Sequence, residues 1–180
     1  MAAFLDGLAS DRPVPASGSA AAAVIAMASA LLEKVARLSR EKWASADVAL
    51  EQAHSLRLRA EELVEADATA YMVFVEAMRS ARKLERKARE SAIAPARAAT
   101  IDVPLAIARL AAEMVDLAEG LAQNGNPNLR ADAMVAATLA AAAATAAARL
   151  IAVNLSGARD PRADEVDRIA RAATDKAAAL

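Results

Sequence analysis

An aspartate interrupts the apolar face of a long predicted helix, residues 47–79. Asp67 falls on the helical row of apolar side chains formed by Leu56, Ala60, Leu63, Ala70, Phe74 and Met78. A carboxyl group in that row faces the protein interior or a cleft rather than solvent. It can transfer protons in general acid–base catalysis, or it can cap a neighbouring helix or pair with an arginine. The residues alone do not separate these two interpretations.

Two loops carry further polar groups. The first loop, residues 12–19, is rich in proline and ends in Gly18–Ser19, where the next helix begins. The unpaired N–H groups of a helix start can hold an anion or a carbonyl oxygen, or the segment is simply a turn with a serine cap. The second loop, residues 124–128, has the glycine, asparagine and proline typical of a turn.

Other polar residues have plainer interpretations. Asn154 lies at the end of an almost uncharged predicted helix, on the same apolar row as Leu150. On its own, this position favours a helix C-cap. His54, the single histidine, lies among charged residues and is predicted at the surface. The basic residues between 79 and 89 favour a solvated helix face, and the alternative is attraction of an anionic ligand tail. No metal-binding motif is present, so no metal is expected.

Composition narrows the function classes. Alanine accounts for 55 of 180 residues, there are four aromatic residues and no cysteine, and the net charge is −1. Disulfide scaffolds, thiol catalysis and cysteine zinc sites are excluded, and an all-β fold is disfavoured because alanine is a poor strand former. With so few aromatic residues and a net charge so close to zero, neither a nucleic-acid partner nor a membrane partner is predicted. Residues 1–11 lack a signal-peptide pattern, so a cytoplasmic protein is expected.

The elements that position these residues are helices. No glycine lies between Gly18 and Gly120, and no proline between Pro15 and Pro95, which predicts long helices in between. We predict helices at about 3–10, 19–44, 47–79, 81–100, 103–121, 129–154 and from 161 onward. Alternating +3/+4 apolar spacing predicts an all-α, single-domain antiparallel bundle of six to seven helices over residues 1–180. The uncharged stretch 133–148 is predicted to be a buried helix of a soluble protein rather than a membrane span.

In chain order these motifs resemble the cyclodeaminase/cyclohydrolase family. This family contains the cyclodeaminase domain of formiminotransferase-cyclodeaminase and stand-alone methenyltetrahydrofolate cyclohydrolases. The order and spacing fit over nearly the whole chain. The matching segments are Phe4-Leu5, Pro13-x-Pro15-x-x-Gly18-Ser19-Ala20-Ala21-Ala22, Val35-Ala36-Arg37-Leu38-Ser39, Asp67-Ala68-x-Ala70-Tyr71, Val103-Pro104-Leu105, Gly125-Asn126-Pro127-Asn128, Asp132-Ala133 and Asn154-Leu155.

The resemblance implies a helical homodimer with folate bound in a cleft, and chemistry at the carbon that bridges N5 and N10 of tetrahydrofolate. In the cyclodeaminase reaction N10 attacks a formimino carbon and ammonia leaves; in the cyclohydrolase reaction water adds to the methenyl carbon and the ring opens. Neither reaction needs a metal or redox cofactor. Asp67 is the implied acid/base. The implied substrate-binding residues are Pro15, Gly18, Ser19, Lys83, Asn126, Asn128, Asp132 and Asn154.

The first loop departs from the family pattern Pro-x-Pro-Gly-Gly-Gly-Ser, because Ala16 and Ser17 replace two glycines. Side chains there would hinder a positive φ or a close approach of the backbone to a ligand. Two alternatives therefore stay open: an impaired protein of this fold that binds folate or a small anion without turnover, and a helical interaction module. The residues do not choose between the cyclodeaminase and cyclohydrolase reactions.

Overall fold

Six α-helices joined by short loops make up the chain. The computed structural model describes residues 1–180 and contains no β-strand. The helices are α1 (Ala2–Leu8), α2 (Ser17–Arg37), α3 (Ala46–Ser80), α4 (Arg86–Asn124), α5 (Arg130–Leu155) and α6 (Pro161–Ala178), with short 3-10 turns at Ala81–Lys83 and Pro127–Leu129. The predicted all-α antiparallel bundle is confirmed.

Alanine forms much of the core. Helix α5 packs against α2, α4 and α6 and buries a row of small side chains between them. Large apolar side chains from α2 and α4, among them Ile25, Leu32, Leu110 and Met114, fill the rest of the interior and are at most 1% exposed. Because alanine adds so little width, the helix axes can approach closely and the core stays dense.

Two stretches are long and apolar enough to cross a membrane by length and composition. They are Ser17–Arg37 and Pro127–Leu155, with mean hydropathies of 1.5 and 1.7. In the structure α2 and α5 pack against each other, and 56% and 44% of their apolar windows are buried. Most of residues 133–148 are buried or half-buried within α5, as predicted.

The structure differs from the predicted helix boundaries at two places. Helix α4 runs without interruption through Pro95 and Pro104, so the separate helices predicted at 81–100 and 103–121 are wrong. Helix α2 ends at Arg37 rather than near residue 44. There the Ser39 hydroxyl donates to the Val35 carbonyl (2.7 Å) and accepts the N–H of Asn126 (2.8 Å), which ties the end of α2 to the second loop.

Helices α3 and α4 extend beyond the rest of the bundle. Asp67 of α3 lies beside Ser19 at the start of α2, and Thr100 of α4 lies beside Asn154 near the end of α5. Residues 68–98 therefore form a projecting hairpin, which we call the α3–α4 hairpin. It exposes apolar side chains to between 38% and 53%; these are Tyr71, Met72, Val73, Val75, Met78 and Leu84.

Candidate functional site

A cleft of about 280 Å³ opens where the first loop meets α3, α4 and the end of α5. Its walls come from four segments that are far apart in the sequence. The lining residues are Pro13, Ala16, Ser17, Gly18, Asp67, Ala70, Tyr71, Thr100, Pro104, Leu150, Val153 and Asn154. The structure thus brings three of the predicted residues, Gly18, Asp67 and Asn154, into one cavity.

Asp67 is half-buried in this cleft and is bonded to the first turn of α2. Its Oδ2 accepts the backbone N–H of Ser19 at 2.7 Å and faces the Ser19 hydroxyl at 3.0 Å. That hydroxyl has a second acceptor in the Val64 carbonyl, also at 3.0 Å. The carboxyl group therefore satisfies an N–H that the start of α2 leaves without an intrahelical partner, and the positive end of the helix dipole favours an anion there. Asp67 caps a neighbouring helix, as one of the two interpretations of the sequence predicted.

Gly18 makes this approach possible. A Cβ atom on Gly18 would lie 2.0 Å from Asp67 Oδ1 and 2.5 Å from its Cγ, far inside van der Waals contact. Gly18 has no positive φ, so the glycine is required by the closeness of α3 rather than by backbone conformation.

The second carboxyl oxygen of Asp67 is free. Oδ1 makes no hydrogen bond within the protein, and it is not buried, because no buried side-chain oxygen or nitrogen lacks a partner. A carboxyl group held at one oxygen and open to a cleft at the other has a fixed position from which it can take or return a proton. The capping role and an acid–base role are thus compatible, because they use different oxygens.

Asn154 joins α5 to α4 across the cleft. Its Nδ2 donates to the Thr100 carbonyl at 2.7 Å. Helix α5 continues to Leu155, and its C-cap is Ser156 in the left-handed conformation, with φ 50° and ψ 37°. The interpretation of Asn154 as a helix C-cap is therefore wrong, and its side chain lines the cleft instead.

Three predicted residues lie at the other end of α2. The Asn126 side chain donates to the Leu38 carbonyl at 3.1 Å and accepts the Asn128 N–H at 3.1 Å. Asp132 follows in the first turn of α5. About 28 Å of helix, at about 1.5 Å per residue, separates Ser19 from Leu38. Within one chain, Asn126, Asn128 and Asp132 do not line the cleft that contains Asp67.

Pro15 and Lys83 also lie outside the cleft lining. The Pro15 ring packs against Gly7 of α1, where an added Cβ would lie 3.2 Å from Pro15 Cδ, so Pro15 supports the first loop. Lys83 is exposed in the 3-10 turn that follows α3. It lies about 24 Å beyond Asp67 along the direction of α3.

The replacements in the first loop leave the backbone relaxed. Ala16 has φ −133° and ψ −157°, which is extended backbone, and Ser17 is the first residue of α2. Neither residue has a positive φ, so the expected backbone hindrance is absent. Both side chains do line the cleft, where they reduce the space available to a ligand.

Reasoning from the sequence gave no site role to Thr100 or to Pro104, which it named only within the matching segment Val103-Pro104-Leu105, although both line the cleft. The available signal was their spacing: a proline four residues after Thr100 removes the N–H that would bond to the Thr100 carbonyl in a helix. That carbonyl then needs a donor from elsewhere, and Asn154 supplies it.

His54 and the basic run lie at the surface. His54 is 52% exposed, as predicted, and its Nδ1 lies 3.5 Å from Glu33 Oε1. In the basic run, Arg89 donates to the carbonyls of Arg82 and Leu84 at 2.9 and 3.1 Å, which closes the turn between α3 and α4. Part of this run therefore serves the local structure of the hairpin.

Comparisons with known proteins give the family. The family model for formiminotransferase-cyclodeaminase matches residues 1–172. A methenyltetrahydrofolate cyclohydrolase of Methylorubrum extorquens is 36% identical over 165 residues, covering 87% of this chain and 79% of the relative. The crystal structure of a formiminotetrahydrofolate cyclodeaminase from Thermotoga maritima has the same fold, with a TM-score of 0.82 at 24% identity over 97% of this chain and 91% of that one. The chain therefore belongs to the formiminotransferase-cyclodeaminase family.

Proposed function

We propose that this protein is a folate enzyme that acts on the carbon bridging N5 and N10 of tetrahydrofolate. The observation that carries the proposal is Asp67, a half-buried carboxyl group that is anchored at one oxygen by α2 and open to the cleft at the other. Family membership supports the substrate class. Of the two candidate reactions, we favour hydrolysis of methenyltetrahydrofolate over deamination of formiminotetrahydrofolate, because the relative at 36% identity is a cyclohydrolase.

Both reactions require proton transfers around a tetrahedral carbon. In hydrolysis, Asp67 Oδ1 accepts a proton from water as the water oxygen bonds to the methenyl carbon. The proton then goes to the ring nitrogen whose bond to that carbon breaks. As this bond breaks, the hydroxyl group on the carbon releases its proton to solvent and becomes the formyl carbonyl, and the ring opens. In deamination, N10 attacks the carbon of the protonated formimino group, and the same carboxyl group takes the proton from N10 and passes it to the departing nitrogen, which leaves as ammonia. These steps change only proton positions and bonds of carbon to nitrogen and oxygen, so the proposal includes no metal or redox cofactor.

The cleft offers two side chains that suit a pterin ring. Tyr71 is the aromatic residue of the lining, 42% exposed, and presents a face for stacking. Asn154 offers a carboxamide oxygen that has no partner within the protein. Gly18 lines the cleft, and both Gly18 and Ser19 also act through Asp67, because their closeness to its carboxyl group fixes where that group lies.

The proposal is tested by following the loss of the methenyl chromophore with purified protein. We expect turnover above the buffer rate, and Asp67→Asn should lower it about 10²- to 10⁴-fold. Glu62→Gln on the exposed side of the same helix is the matched control and should be unchanged. No turnover of methenyltetrahydrofolate or of formiminotetrahydrofolate would contradict the proposal, and thermal stabilisation by these folates without turnover would favour the binding-protein alternative.

We also propose a homodimer formed through the α3–α4 hairpin. Tyr71, Val75 and Met78 lie on one side of α3 and expose apolar surface. An exposed apolar patch marks an interaction surface, and a two-fold contact buries the same surface on both copies. Tyr71 belongs to both this surface and the cleft lining, which favours a second copy of the chain as the partner.

Light scattering after size exclusion should give twice the 18.6 kDa of one chain. Met72→Glu should halve that mass, whereas a wild-type monomer would contradict the dimer. A cytoplasmic location is part of the same proposal, and cell fractionation tests it.

A further inference from the structure

We propose that Pro104 is a positioning residue for Asn154. By leaving the Thr100 carbonyl without its helical donor, Pro104 makes that carbonyl the anchor that aims the Asn154 Oδ1 into the cleft, where it accepts an N–H group of the ligand. The inference rests on the proposed function, because it assigns a role in holding that ligand.

The Thr100 carbonyl lacks the donor that a regular helix would give it. Pro104 is buried inside α4 and has no N–H group. In a regular helix the N–H of residue 104 would bond to the carbonyl of residue 100. The Thr100 hydroxyl cannot compensate, because it donates to the Arg97 carbonyl at 2.8 Å. The Thr100 carbonyl, in a residue only 8% exposed, instead accepts Asn154 Nδ2 at 2.7 Å.

The bond to Thr100 fixes the orientation of the Asn154 carboxamide. A carbonyl oxygen only accepts hydrogen bonds, so only one of the two flip states of the Asn154 carboxamide fits beside it. The NH₂ group must point to α4, and Oδ1 is left without a partner in the protein and unburied. Without this anchor, both flip states would be open to the side chain.

The free acceptors of the cleft indicate which kind of ligand it suits. Two side-chain oxygens of the cleft that can only accept hydrogen bonds have no partner within the protein, Oδ1 of the Asp67 carboxylate on α3 and Oδ1 of Asn154 on α5. Such a pair selects a ligand that presents N–H donors at one end and a reacting centre that exchanges protons at the other. A reduced pterin ring, which carries ring and amino N–H groups, has this chemistry. Asn154 would hold the ring while Asp67 serves the bridge carbon.

The coupling is tested first by a double-mutant cycle of unfolding, which needs no substrate. Asn154→Ala removes the side-chain donor of the Thr100 carbonyl, whereas in Pro104→Ala the restored helical N–H takes over that bond. We expect Asn154→Ala to lower the denaturation midpoint clearly more in the wild-type background than in the Pro104→Ala background. Pro104→Val repeats the cycle with more of the side-chain volume retained. Losses that simply add would overturn the inference.

The positioning role is tested by kinetics with methenyltetrahydrofolate. Asn154→Ala should raise KM about tenfold with kcat changed much less, as expected for one lost hydrogen bond to the ligand. Asn154→Asp keeps an acceptor but cannot donate to Thr100, so it should resemble Asn154→Ala. Pro104→Ala should raise KM severalfold, while Pro95→Ala, an exposed proline of the same helix outside the cleft, should not.

An unchanged KM in Pro104→Ala would overturn the inference even if the unfolding cycle shows coupling. Failure of the proposed function has a different signature, which is the absence of turnover by the wild-type protein itself.

Discussion

Ser19 and Asp67 are joined by the backbone N–H and hydroxyl of Ser19, at 2.7 and 3.0 Å from the same carboxyl oxygen. The residue proposed to transfer protons is thus also the cap of the helix that forms one wall of its cleft. Asp67 cannot change its position without disturbing α2, and α2 cannot shift without moving the acid. Two of the predictions below concern the contact between α2 and Asp67, and two concern hydrogen bonds elsewhere in the chain.

Gly18→Ala should displace Asp67. The new Cβ would lie 2.0 Å from Asp67 Oδ1, so either the carboxyl group or the start of α2 must move. We expect a loss of about 1–3 kcal/mol of unfolding free energy, as for other overpacked sites, together with most of the activity. Gly120→Ala is the matched control, because its nearest contact would be Trp43 at 3.8 Å. It should gain about 0.5–1 kcal/mol, as alanine does in a helix. Chemical denaturation of both variants measures the difference.

Ser19→Ala should separate capping from chemistry. The variant loses the hydroxyl but keeps the backbone N–H that bonds to Asp67 Oδ2. We expect about 1 kcal/mol of destabilisation and a smaller fall in kcat than in Asp67→Asn, because the carboxyl group stays anchored. A fall as large as that of Asp67→Asn would show that the hydroxyl itself takes part in the reaction.

Asp160 should stabilise α6 in a pH-dependent way. Its Oδ1 accepts the N–H of Arg162 at 2.9 Å, and its Oδ2 lies 2.6 Å from the Arg162 guanidinium. The side-chain hydrogen bond from Arg162, with a further one from the backbone, lowers the pKa of Asp160 from 3.8 to about 2. Because the folded protein holds the charged form more strongly, this stability is fully present above pH 4 and is lost as the pH falls towards 2.

Asp160→Ala should cost about 1 kcal/mol at neutral pH as the helix cap is lost, and the gap to the wild type should narrow as the pH falls from 4 towards 2, because the neutral carboxyl group keeps the cap but loses the ion pair. Asp160→Asn, which keeps the cap but not the charge, should cost less at neutral pH. Urea titrations across this range make the comparison. A gap that is as large at pH 2 as at neutral pH would contradict the role of the ion pair.

Asn126→Ala should affect stability and leave catalysis intact. The side chain holds the Leu38 carbonyl and the Asn128 N–H, far from Asp67 within the chain. We expect a loss of about 1 kcal/mol with unchanged KM and kcat. A raised KM would show instead that the second loop reaches a ligand, as it could in the cleft of a second copy.

Much of the fold could be predicted from the sequence because its signals are local. Glycine and proline mark the loops, and the apolar row spaced +3/+4 from Val103 to Leu121 lies in α4, where Val103 is half-buried and its other members are buried. The boundary predicted between residues 100 and 103 is absent, because α4 continues through Pro104, and the Thr100 carbonyl that this proline leaves without its helical donor is bonded by Asn154, about fifty residues away in the sequence. A local pattern carries no information about a donor that arrives from another helix.

The candidate site was only partly predictable for a similar reason. The apolar row around Asp67 placed that residue at a cleft, but whether it caps a helix depends on the register of α3 against α2. Asn126, Asn128 and Asp132 matched the family in order, yet their distance from Asp67 is set by the full length of α2. Order along the chain does not determine which end of a bundle a loop reaches.

The cap formed by Asp67 has a mechanical consequence. On the proposed mechanism the carboxyl group gains a proton once in every turnover, and a neutral acid is a weaker partner for the positive end of α2. The first turn of α2, which carries Ser17 and follows the proline-rich loop at the cleft, is then held less firmly until the proton departs. Each catalytic cycle would therefore weaken and then restore the contact that holds the first turn of α2 against the cleft, and product release would be easier while the contact is weak.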